Sequence, residues 1–168
     1  MSTRAATATP VDPAQFKRAL AQFASGVTVV TTVDAGGRPL GLTVSAFCSV
    51  SLEPALVLAC VDNRSATHEG FRASGVFGVS VLAEGQEAVS RRFAGPGTHR
   101  FAGYVPLQGP QDVPLVPGAL VHMVCRVVSA HLAGDHTIYV GEVLGLDVRP
   151  GRPLVYHGRA YRRLVGKP

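Results

Sequence analysis

The sequence predicts a mainly β protein, an antiparallel barrel with a few short helices at its periphery. Many short apolar runs are typical of strands, helical segments are few, and no alternation of strand, helix and strand indicates a parallel sheet. The chain has 168 residues, of which 46% are hydrophobic and 16% charged, so it is long enough to bury one core. We expect a flexible tail over residues 1–11 and a single domain over residues 12–168.

A first helix is predicted to begin at Pro13. Asp12 offers a capping carboxylate directly before it, and proline is favoured at the first helical position. Apolar residues then recur at helical spacing, and Gly26 is placed to end the helix. These apolar residues are Phe16, Leu20 and Phe23.

Two further short helices are predicted. One covers about residues 66–73, with Ser65 or Thr67 as its cap and Gly75 as its end. The other covers residues 86–93 and ends at a Gly-Pro-Gly sequence.

The remaining regular segments are predicted strands. They cover residues 27–33, 56–61, 76–82, 119–130 and 137–148, with a last short pair near 154–156 and 161–165. Residues 132–135 are predicted to form the hairpin loop between the two longest strands, and residues 94–117 are rich in loops.

The segment 41–54 is predicted to be the centre of a binding site. It alternates hydroxyl residues with apolar ones, and in an extended chain this pattern places the two kinds of side chain on opposite faces. A row of small polar side chains lets a flat polar ligand approach the backbone closely. An ordinary half-exposed strand with a polar outer face explains the same pattern. The hydroxyl residues are Thr43, Ser45, Ser49 and Ser51, and the apolar ones are Val44, Phe47 and Val50.

A candidate phosphate site lies at the start of the second predicted helix. Arg64, Ser65 and Thr67 combine a formal positive charge with two hydroxyls, at a helix end whose N–H groups favour an anion. Plain capping of the helix is the alternative. No Walker loop occurs, and no Gly-x-Gly-x-x-Gly follows a strand, so dinucleotide binding of the doubly wound type is not expected.

His136 is the candidate catalytic residue. It follows the Gly134-Asp135 turn and opens an apolar strand, so its imidazole can project into a pocket at the barrel mouth and donate a hydrogen bond or proton. A histidine that only holds its own hairpin is the alternative. The other histidines do not show metal-ligand spacing, and we expect no metal site.

Charge and cysteine content exclude several classes of partner. The net charge of +5 comes almost wholly from scattered arginines, which favours a small anionic ligand over nucleic acid. Cys48, Cys60 and Cys125 are an odd number without a Cys-x-x-Cys motif, so neither disulfides nor zinc are expected and a cytoplasmic location fits. We expect no membrane span and no signal peptide. The low share of charged residues suggests that a second copy covers part of the surface.

Eight groups of short motifs occur in order along the chain. They are Phe16 with Phe23-Ala24-Ser25-Gly26-Val27; Gly41-x-Thr43 with Phe47-x-Ser49-Val50-Ser51-x-x-Pro54; Asn63-x-Ser65-x-Thr67; Phe77-x-Val79-x-Val81-Leu82; Arg92-Phe93-Ala94-Gly95; Cys125; Gly134-Asp135-His136-x-Ile138; and Pro153-Leu154-x-Tyr156. In this order and spacing they resemble the flavin reductase-like family of split-barrel flavoproteins. These are short-chain NAD(P)H:flavin oxidoreductases that serve two-component flavin monooxygenases.

The resemblance implies an FMN-binding split barrel that reduces FMN or FAD with NADH or NADPH. Family members are typically homodimers, and they supply reduced flavin to a flavin-dependent monooxygenase. Two other functions stay open: a flavoprotein with permanently bound FMN that reduces another acceptor, and a non-catalytic flavin- or haem-binding module on the same barrel.

The resemblance also implies roles for individual residues. The isoalloxazine ring and ribityl chain would lie along Thr43, Val44, Ser45, Ala46, Phe47, Cys48, Ser49, Val50 and Ser51. Arg64, Ser65 and Thr67 would bind the FMN phosphate, with Asn63 and Phe93 also at the cofactor. His136 would lie beside the flavin and the nicotinamide. The family often has Asn-Ser where this chain has Ser45-Ala46, which leaves the preference between FMN and FAD open.

Overall fold

A seven-stranded antiparallel sheet forms the framework of the molecule. The computed structural model describes residues 10–97 and 99–166. The strands are β1 (Ser25–Gly26), β2 (Thr28–Val33), β3 (Pro39–Val44), β4 (Phe47–Leu52), β5 (Ala55–Asp62), β6 (Val76–Val81), β7 (Leu107–Gln108), β8 (Pro114–Leu115), β9 (Val121–Ala133), β10 (His136–Val148), β11 (Val155–His157) and β12 (Ala160–Arg162). The helices are α1 (Pro13–Leu20), α2 (Ala66–Ser74) and α3 (Glu87–Ala94), and short 3-10 turns cover His99–Phe101 and Pro110–Asp112.

The sheet order is β3-β2-β6-β9-β10-β5-β4, with every neighbouring pair antiparallel. The strands at the two ends of this order, β3 and β4, are consecutive in the chain and joined only by Ser45 and Ala46. The Cys60 amide of β5 donates to the Ala46 carbonyl at 3.0 Å. The sheet therefore curls into a barrel that is split beside β3, and the predicted mainly β antiparallel fold is confirmed.

Two apolar clusters fill the barrel and its flank. In the first, Phe71 of α2 stacks on Phe77 at a ring separation of 5.1 Å and contacts Tyr139 at 4.7 Å, so that α2 closes one end of the barrel. The second cluster joins β2 to Phe93 of α3 and to Leu154, which precedes β11. Helices α2 and α3 are thus fixed to the barrel by buried aromatic rings.

The first helix is shorter than predicted. Asp12 caps it, with both carboxylate oxygens accepting backbone N–H bonds at 3.2 and 3.0 Å, but it ends at Leu20 rather than near Gly26. No residue of α1 is buried. Gly26 instead belongs to β1 and pairs with Val155. The apolar spacing predicted the existence and start of the helix correctly, but not its end.

The segment 41–54 forms two strands rather than one. A bend at Ser45 and Ala46 separates β3 from β4, and the β4–β5 register shifts between Ser49 and Ser51. A change of direction and an irregular register both break the period-2 alternation of faces. Val50 is 47% exposed, and the predicted arrangement of hydroxyl and apolar side chains on opposite faces of one extended segment is not formed.

The other elements follow the prediction closely. Helix α2 begins after Ser65 and ends at Gly75, whose φ of +67° is the left-handed value that glycine adopts readily. The long hairpin turns on Gly134 and Asp135 alone, because β9 and β10 each extend further than predicted. β10 crosses the barrel core at Gly141, where an added Cβ would overlap the ring of Phe77 and lie 3.0 Å from Cys125 Cβ.

Gly141→Ala is expected to destabilise the fold. Forcing a methyl group into this packed contact costs about 1–3 kcal/mol, which for a domain of this size lowers the melting temperature by about 2–4 °C per kcal/mol. The matched control is Gly145→Ala on the same strand, where an added Cβ meets no atom of the described residues within 4 Å. Equal melting temperatures for the two variants, measured by circular dichroism, would contradict the packing described for Gly141.

Candidate functional site

A cavity of about 440 Å³ lies between β3, the start of α2 and the end of α3. We call it the primary cavity. Its volume falls within the range of about 300–1,000 Å³ typical of small-molecule sites. Its lining residues are Leu40, Gly41, Leu42, Thr43, Asp62, Arg64, Ser65, Ala66, Thr67, Phe93, Ala94, Gly97 and Arg100. Five of the residues predicted for the cofactor are therefore brought together here: Thr43, Arg64, Ser65, Thr67 and Phe93.

The start of α2 faces the primary cavity. The Ser65 hydroxyl accepts a hydrogen bond from the Thr67 amide at 3.3 Å, so Ser65 is the cap of the two candidates, Ser65 and Thr67, that the sequence offered. Thr67 is buried. Backbone N–H groups at this end of a helix carry a partial positive charge, which favours an anion.

Arg64 lies at the rim of the primary cavity and is paired with Asp62. Its Nε donates to Asp62 Oδ1 at 3.1 Å and its Nη2 to Asp62 Oδ2 at 2.9 Å, while its side chain is 84% exposed. These bonds hold the pKa of Asp62 well below its usual range. Sequence reasoning missed Asp62 as a site residue, although its position two residues before Arg64 was the available signal.

Arg100 is a second cationic residue of the primary cavity, and the sequence analysis missed it. Its guanidinium donates to the Gly41 carbonyl at 2.6 Å and, through Nε and Nη2, to the Gly95 carbonyl at 3.1 and 2.9 Å. Burial lowers its pKa, yet an arginine stays charged at neutral pH. Arg100 thereby ties β3 to the loop after α3 and brings a positive charge to the cavity wall.

Thr43 and Phe93 fix β3 against α3. The Thr43 hydroxyl donates to the Ser90 carbonyl at 2.7 Å, and the Ser90 hydroxyl bonds to Tyr161 at 2.8 Å. Phe93 is fully buried, and an added Cβ on Gly41 would lie 3.2 Å from its ring. The Thr43 hydroxyl is thus engaged with protein, and β3 presents mainly backbone and apolar surface to the cavity.

The rest of the predicted ligand-lining stretch lies elsewhere. Ser45 and Ala46 line a different cavity of about 510 Å³, beside α1 and β11. Val44 is buried in the barrel core and Phe47 packs against that core. On β4, Cys48, Ser49 and Val50 are exposed and Ser51 is half-buried. Within this chain the bend between β3 and β4 therefore separates residues 44–51 from the primary cavity, and their contact with a cofactor stays a prediction.

His136 lies near the primary cavity without lining it. It pairs in register with Asp62 across β10 and β5, and its Nδ1 lies 2.7 Å from Asp135 Oδ1. Hydrogen bonding to this imidazole lowers the pKa of Asp135. The His136 side chain is 43% exposed, so it is accessible at the barrel mouth.

Asn63 holds the β9–β10 hairpin to the start of α2. Its side-chain oxygen accepts from the Thr137 hydroxyl at 2.7 Å, and its backbone amide donates to the Asp135 carbonyl at 3.0 Å. In this chain Asn63 therefore positions the hairpin that carries His136. A direct contact of Asn63 with a cofactor stays a prediction.

The described residues contain no group of three or more metal-ligating side chains. The three cysteines are free, and burial raises the pKa of Cys125 to about 12. Among the helices that the structure describes, none has the length and apolar character needed to cross a membrane.

Known proteins resemble this chain in sequence and structure. Residues 20–165 match the family model described as the flavin reductase like domain. An NADH-dependent flavin reductase from a Rhodococcus species is 43% identical over 160 residues, which cover 92% of this chain and 88% of that protein. The reductase component of 4-hydroxyphenylacetate 3-monooxygenase from Thermus thermophilus is 44% identical over 151 residues, covering 89% of this chain and 95% of that protein.

Solved structures share the same architecture. The NADH:FAD oxidoreductase of Streptomyces globisporus superposes with a TM-score of 0.85 at 37% sequence identity, covering 96% of this chain and all of that one. The same oxidoreductase has also been solved in complex with NAD and FAD fragments, again with a TM-score of 0.85.

Proposed function

Because the chain belongs to the flavin reductase-like family, we propose that it is an NADH-dependent flavin reductase whose flavin phosphate binds at the start of α2. The predicted family, the flavin reductase activity and the use of flavin and nicotinamide nucleotides are confirmed by the relatives described above. Like the reductase component from Thermus thermophilus, this chain would supply reduced flavin to a separate monooxygenase.

The observation that carries the location of the site is the charge and hydrogen-bonding character of the primary cavity. Arg64 and Arg100 bring two positive charges to its wall and Asp62 one negative charge, so the lining is cationic overall. The helix end at Ser65 and Thr67 adds N–H donors and two hydroxyls. A phosphate monoester fits this donor set, because strong acceptor oxygens match N–H, O–H and guanidinium donors.

The rest of the cavity suits the apolar part of a flavin. Leu40 and Leu42 supply apolar side chains, while Gly41 leaves the β3 backbone open to close approach. When bound, the isoalloxazine supplies the redox chemistry by accepting hydride from the nicotinamide. The protein's own residues hold the phosphate, orient the ring along β3 and place main-chain N–H groups where negative charge develops.

We further place the protein in the cytoplasm, where three free cysteines stay reduced.

Replacing Ser65 and Thr67 together by Ala tests the phosphate site. FMN binding is expected to weaken by about 2–4 kcal/mol, since two hydrogen bonds to a charged group are lost with incomplete additivity. Riboflavin, which lacks the phosphate, should bind almost as before. Binding is measured by quenching of flavin fluorescence.

The control for that experiment is Asp12→Ala, which removes the cap of α1 rather than that of α2. It should cost about 1 kcal/mol of stability and leave FMN binding unchanged. If the double variant weakens riboflavin and FMN equally, Ser65 and Thr67 act only through capping and packing, and the phosphate site is wrong.

His136 is proposed to help seat the nicotinamide at the barrel mouth. It is accessible, and through its pairing with Asp62 it lies beside the residue that holds Arg64. His136→Ala is expected to lower kcat/KM by about 10- to 100-fold, or roughly 1.4–2.7 kcal/mol, with much less change in flavin affinity. His136→Asn keeps a donor and should recover part of the loss.

Stopped-flow reduction of bound flavin, measured beside a thermal melt of the same samples, distinguishes this role from a structural one. The Nδ1 contact with Asp135 is the structural alternative, because it can hold the hairpin by itself. Normal reduction with a clear fall in melting temperature would show that His136 belongs to the scaffold.

A homodimer is proposed because α1 is left largely exposed in the part of the chain that the structure describes. Phe16 and Leu20 are each 56% exposed, and no residue of this eight-residue helix is buried. Isolated helices of this length are marginal in water, so α1 needs a surface to pack against. Leu144, Leu146 and Val148 on β10 are also exposed apolar residues available to a second copy.

Light scattering at micromolar concentration is expected to report about twice the chain mass of 17.5 kDa. The double variant Phe16→Glu and Leu20→Glu should shift the mass toward the monomer, because it places charges in the apolar face. Val105→Glu, at an exposed loop residue, is the control and should leave the measured mass unchanged. A monodisperse monomer that still binds flavin would contradict the proposed homodimer.

A further inference from the structure

A buried hydroxyl stands one residue beyond the candidate catalytic histidine. Thr137 is 7% exposed and follows His136 on β10, and successive side chains of a strand point to opposite faces. His136 pairs with Asp62 at the barrel mouth. Thr137 pairs with Val61, which is fully buried. Because the two side chains share one stretch of backbone, an interaction that fixes Thr137 also fixes the direction in which His136 points.

The Thr137 hydroxyl is hydrogen-bonded on both sides. It donates to Asn63 Oδ1 at 2.7 Å, and His68 Nε2 lies 3.1 Å from the same hydroxyl oxygen. A hydroxyl has one proton to donate, and this proton is used on Asn63. The hydroxyl oxygen therefore accepts from His68, and the proton of the neutral His68 ring is on Nε2. The order of donation is His68 to Thr137 to Asn63.

This chain of hydrogen bonds connects the hairpin turn to the start of α2. Asn63 lies just before α2, its side-chain amide faces the Gly134 carbonyl at 3.5 Å, and its backbone amide donates to the Asp135 carbonyl at 3.0 Å. His68 lies in the first turn of α2. The Thr137 hydroxyl is thus the point at which β10 is fixed to both the segment before the helix and the helix itself.

The donor His68 is itself held in place. Its ring contacts Tyr139 edge-to-face at a ring separation of 5.7 Å, and the Tyr139 hydroxyl donates to the His68 carbonyl at 3.3 Å. Tyr139 is 1% exposed and packs against Phe71 of α2. A buried polar group that loses its partner cannot turn to water, so breaking a network of this kind is costly. The network therefore holds the start of β10 in one position.

We propose that Thr137 is a positioning residue of the reductase, which holds His136 where it seats the nicotinamide through its bonds to Asn63 and His68. The inference rests on the proposed function, because His136 is the residue through which Thr137 acts. Thr137 does not line the primary cavity, and its hydroxyl is fully engaged with protein. Loss of this hydroxyl leaves the imidazole present but lets its direction vary, so NADH binding weakens while hydride transfer is retained.

Thr137→Val removes the hydroxyl and keeps the shape of the side chain. With flavin saturating, the KM for NADH is expected to rise about 5- to 10-fold and kcat to change by less than about 2-fold, while the Kd for FMN stays the same. Thr137→Ser restores the hydroxyl and should recover most of the loss. An unchanged KM for NADH in a folded Thr137→Val protein would overturn the inference.

A double variant shows whether Thr137 acts through His136. His136→Ala combined with Thr137→Val should have the same kcat/KM as His136→Ala alone, within about 2-fold, because no imidazole remains to be positioned. The fall in melting temperature caused by Thr137→Val should persist in both backgrounds. If the losses in kcat/KM multiply instead, the two residues act independently and Thr137 does not position His136.

Thr32→Val is the matched control, because it removes a buried hydroxyl at the other end of α2. Thr32 is fully buried, its hydroxyl donates to the Val76 carbonyl at 2.7 Å, and it lies 2.7 Å from Ser74 Oγ. The variant should lower the melting temperature as Thr137→Val does and leave the KM for NADH unchanged. An equal rise in KM in both variants would trace the effect to lost stability and would overturn the positioning role.

His68→Phe tests the same network without altering β10. It keeps an aromatic ring against Tyr139 and removes the donor to Thr137, so the KM for NADH is expected to rise about 3-fold. His68→Gln supplies an N–H donor again and should recover part of the loss. The same KM in His68→Phe and in the unmodified chain would contradict the proposed network.

Failure of the proposed function has a different signature. If the unmodified chain does not oxidise NADH with added flavin, or if His136→Ala leaves kcat/KM unchanged, the proposed role of His136 and the positioning role of Thr137 are both wrong. If His136→Ala lowers kcat/KM while Thr137→Val does not, the proposed function stands and only the positioning role is wrong.

Discussion

Close approach of two helices to one edge of the barrel is the constraint on which the site depends. Gly70 of α2 lies against Leu40 and Thr32, and Gly41 of β3 lies against Phe93 of α3. A methyl group at either glycine would force these elements apart. Because α2 and α3 are both drawn in, β3 becomes the wall of a cavity whose mouth carries the charged residues. The site therefore depends on the absence of side chains at Gly41 and Gly70 as much as on the side chains that line it.

Local chemistry made much of the fold predictable. The sequence narrowed the cap of α2 to Ser65 or Thr67, placed its end at Gly75, and placed a hairpin loop at residues 132–135, of which Gly134 and Asp135 form the turn. The same local rules placed the hydroxyls proposed to bind phosphate, those of Ser65 and Thr67, at a helix start. Family resemblance then supplied the architecture and the activity, which periodicity alone does not specify.

Long-range contacts account for what the sequence did not reveal. Arg100 lies in a segment whose sequence shows no hydrophobic periodicity. Its position in the cavity wall depends on hydrogen bonds to the carbonyls of Gly95 and of Gly41, which is 59 residues away. The bend after Val44 was also missed, although two adjacent apolar residues, Ala46 and Phe47, interrupt the alternation of polar and apolar residues there. α1 was extended to Gly26 because a glycine commonly ends a helix, whereas the helix ends at Leu20 and Gly26 pairs with Val155 in a sheet.

The ion pair between Arg64 and Asp62 has a consequence for the lifetime of the complex in the proposed function. A phosphate that recruits Arg64 must compete with a carboxylate already bound to two of the three guanidinium nitrogens, Nε and Nη2. Part of the attraction is thereby cancelled, and on departure of the ligand the guanidinium returns to a partner two residues away. Such built-in competition favours rapid exchange over permanent retention. For a reductase that passes its product to another enzyme, loose holding of the flavin would be a working property, and in the proposed function Asp62 would contribute to it.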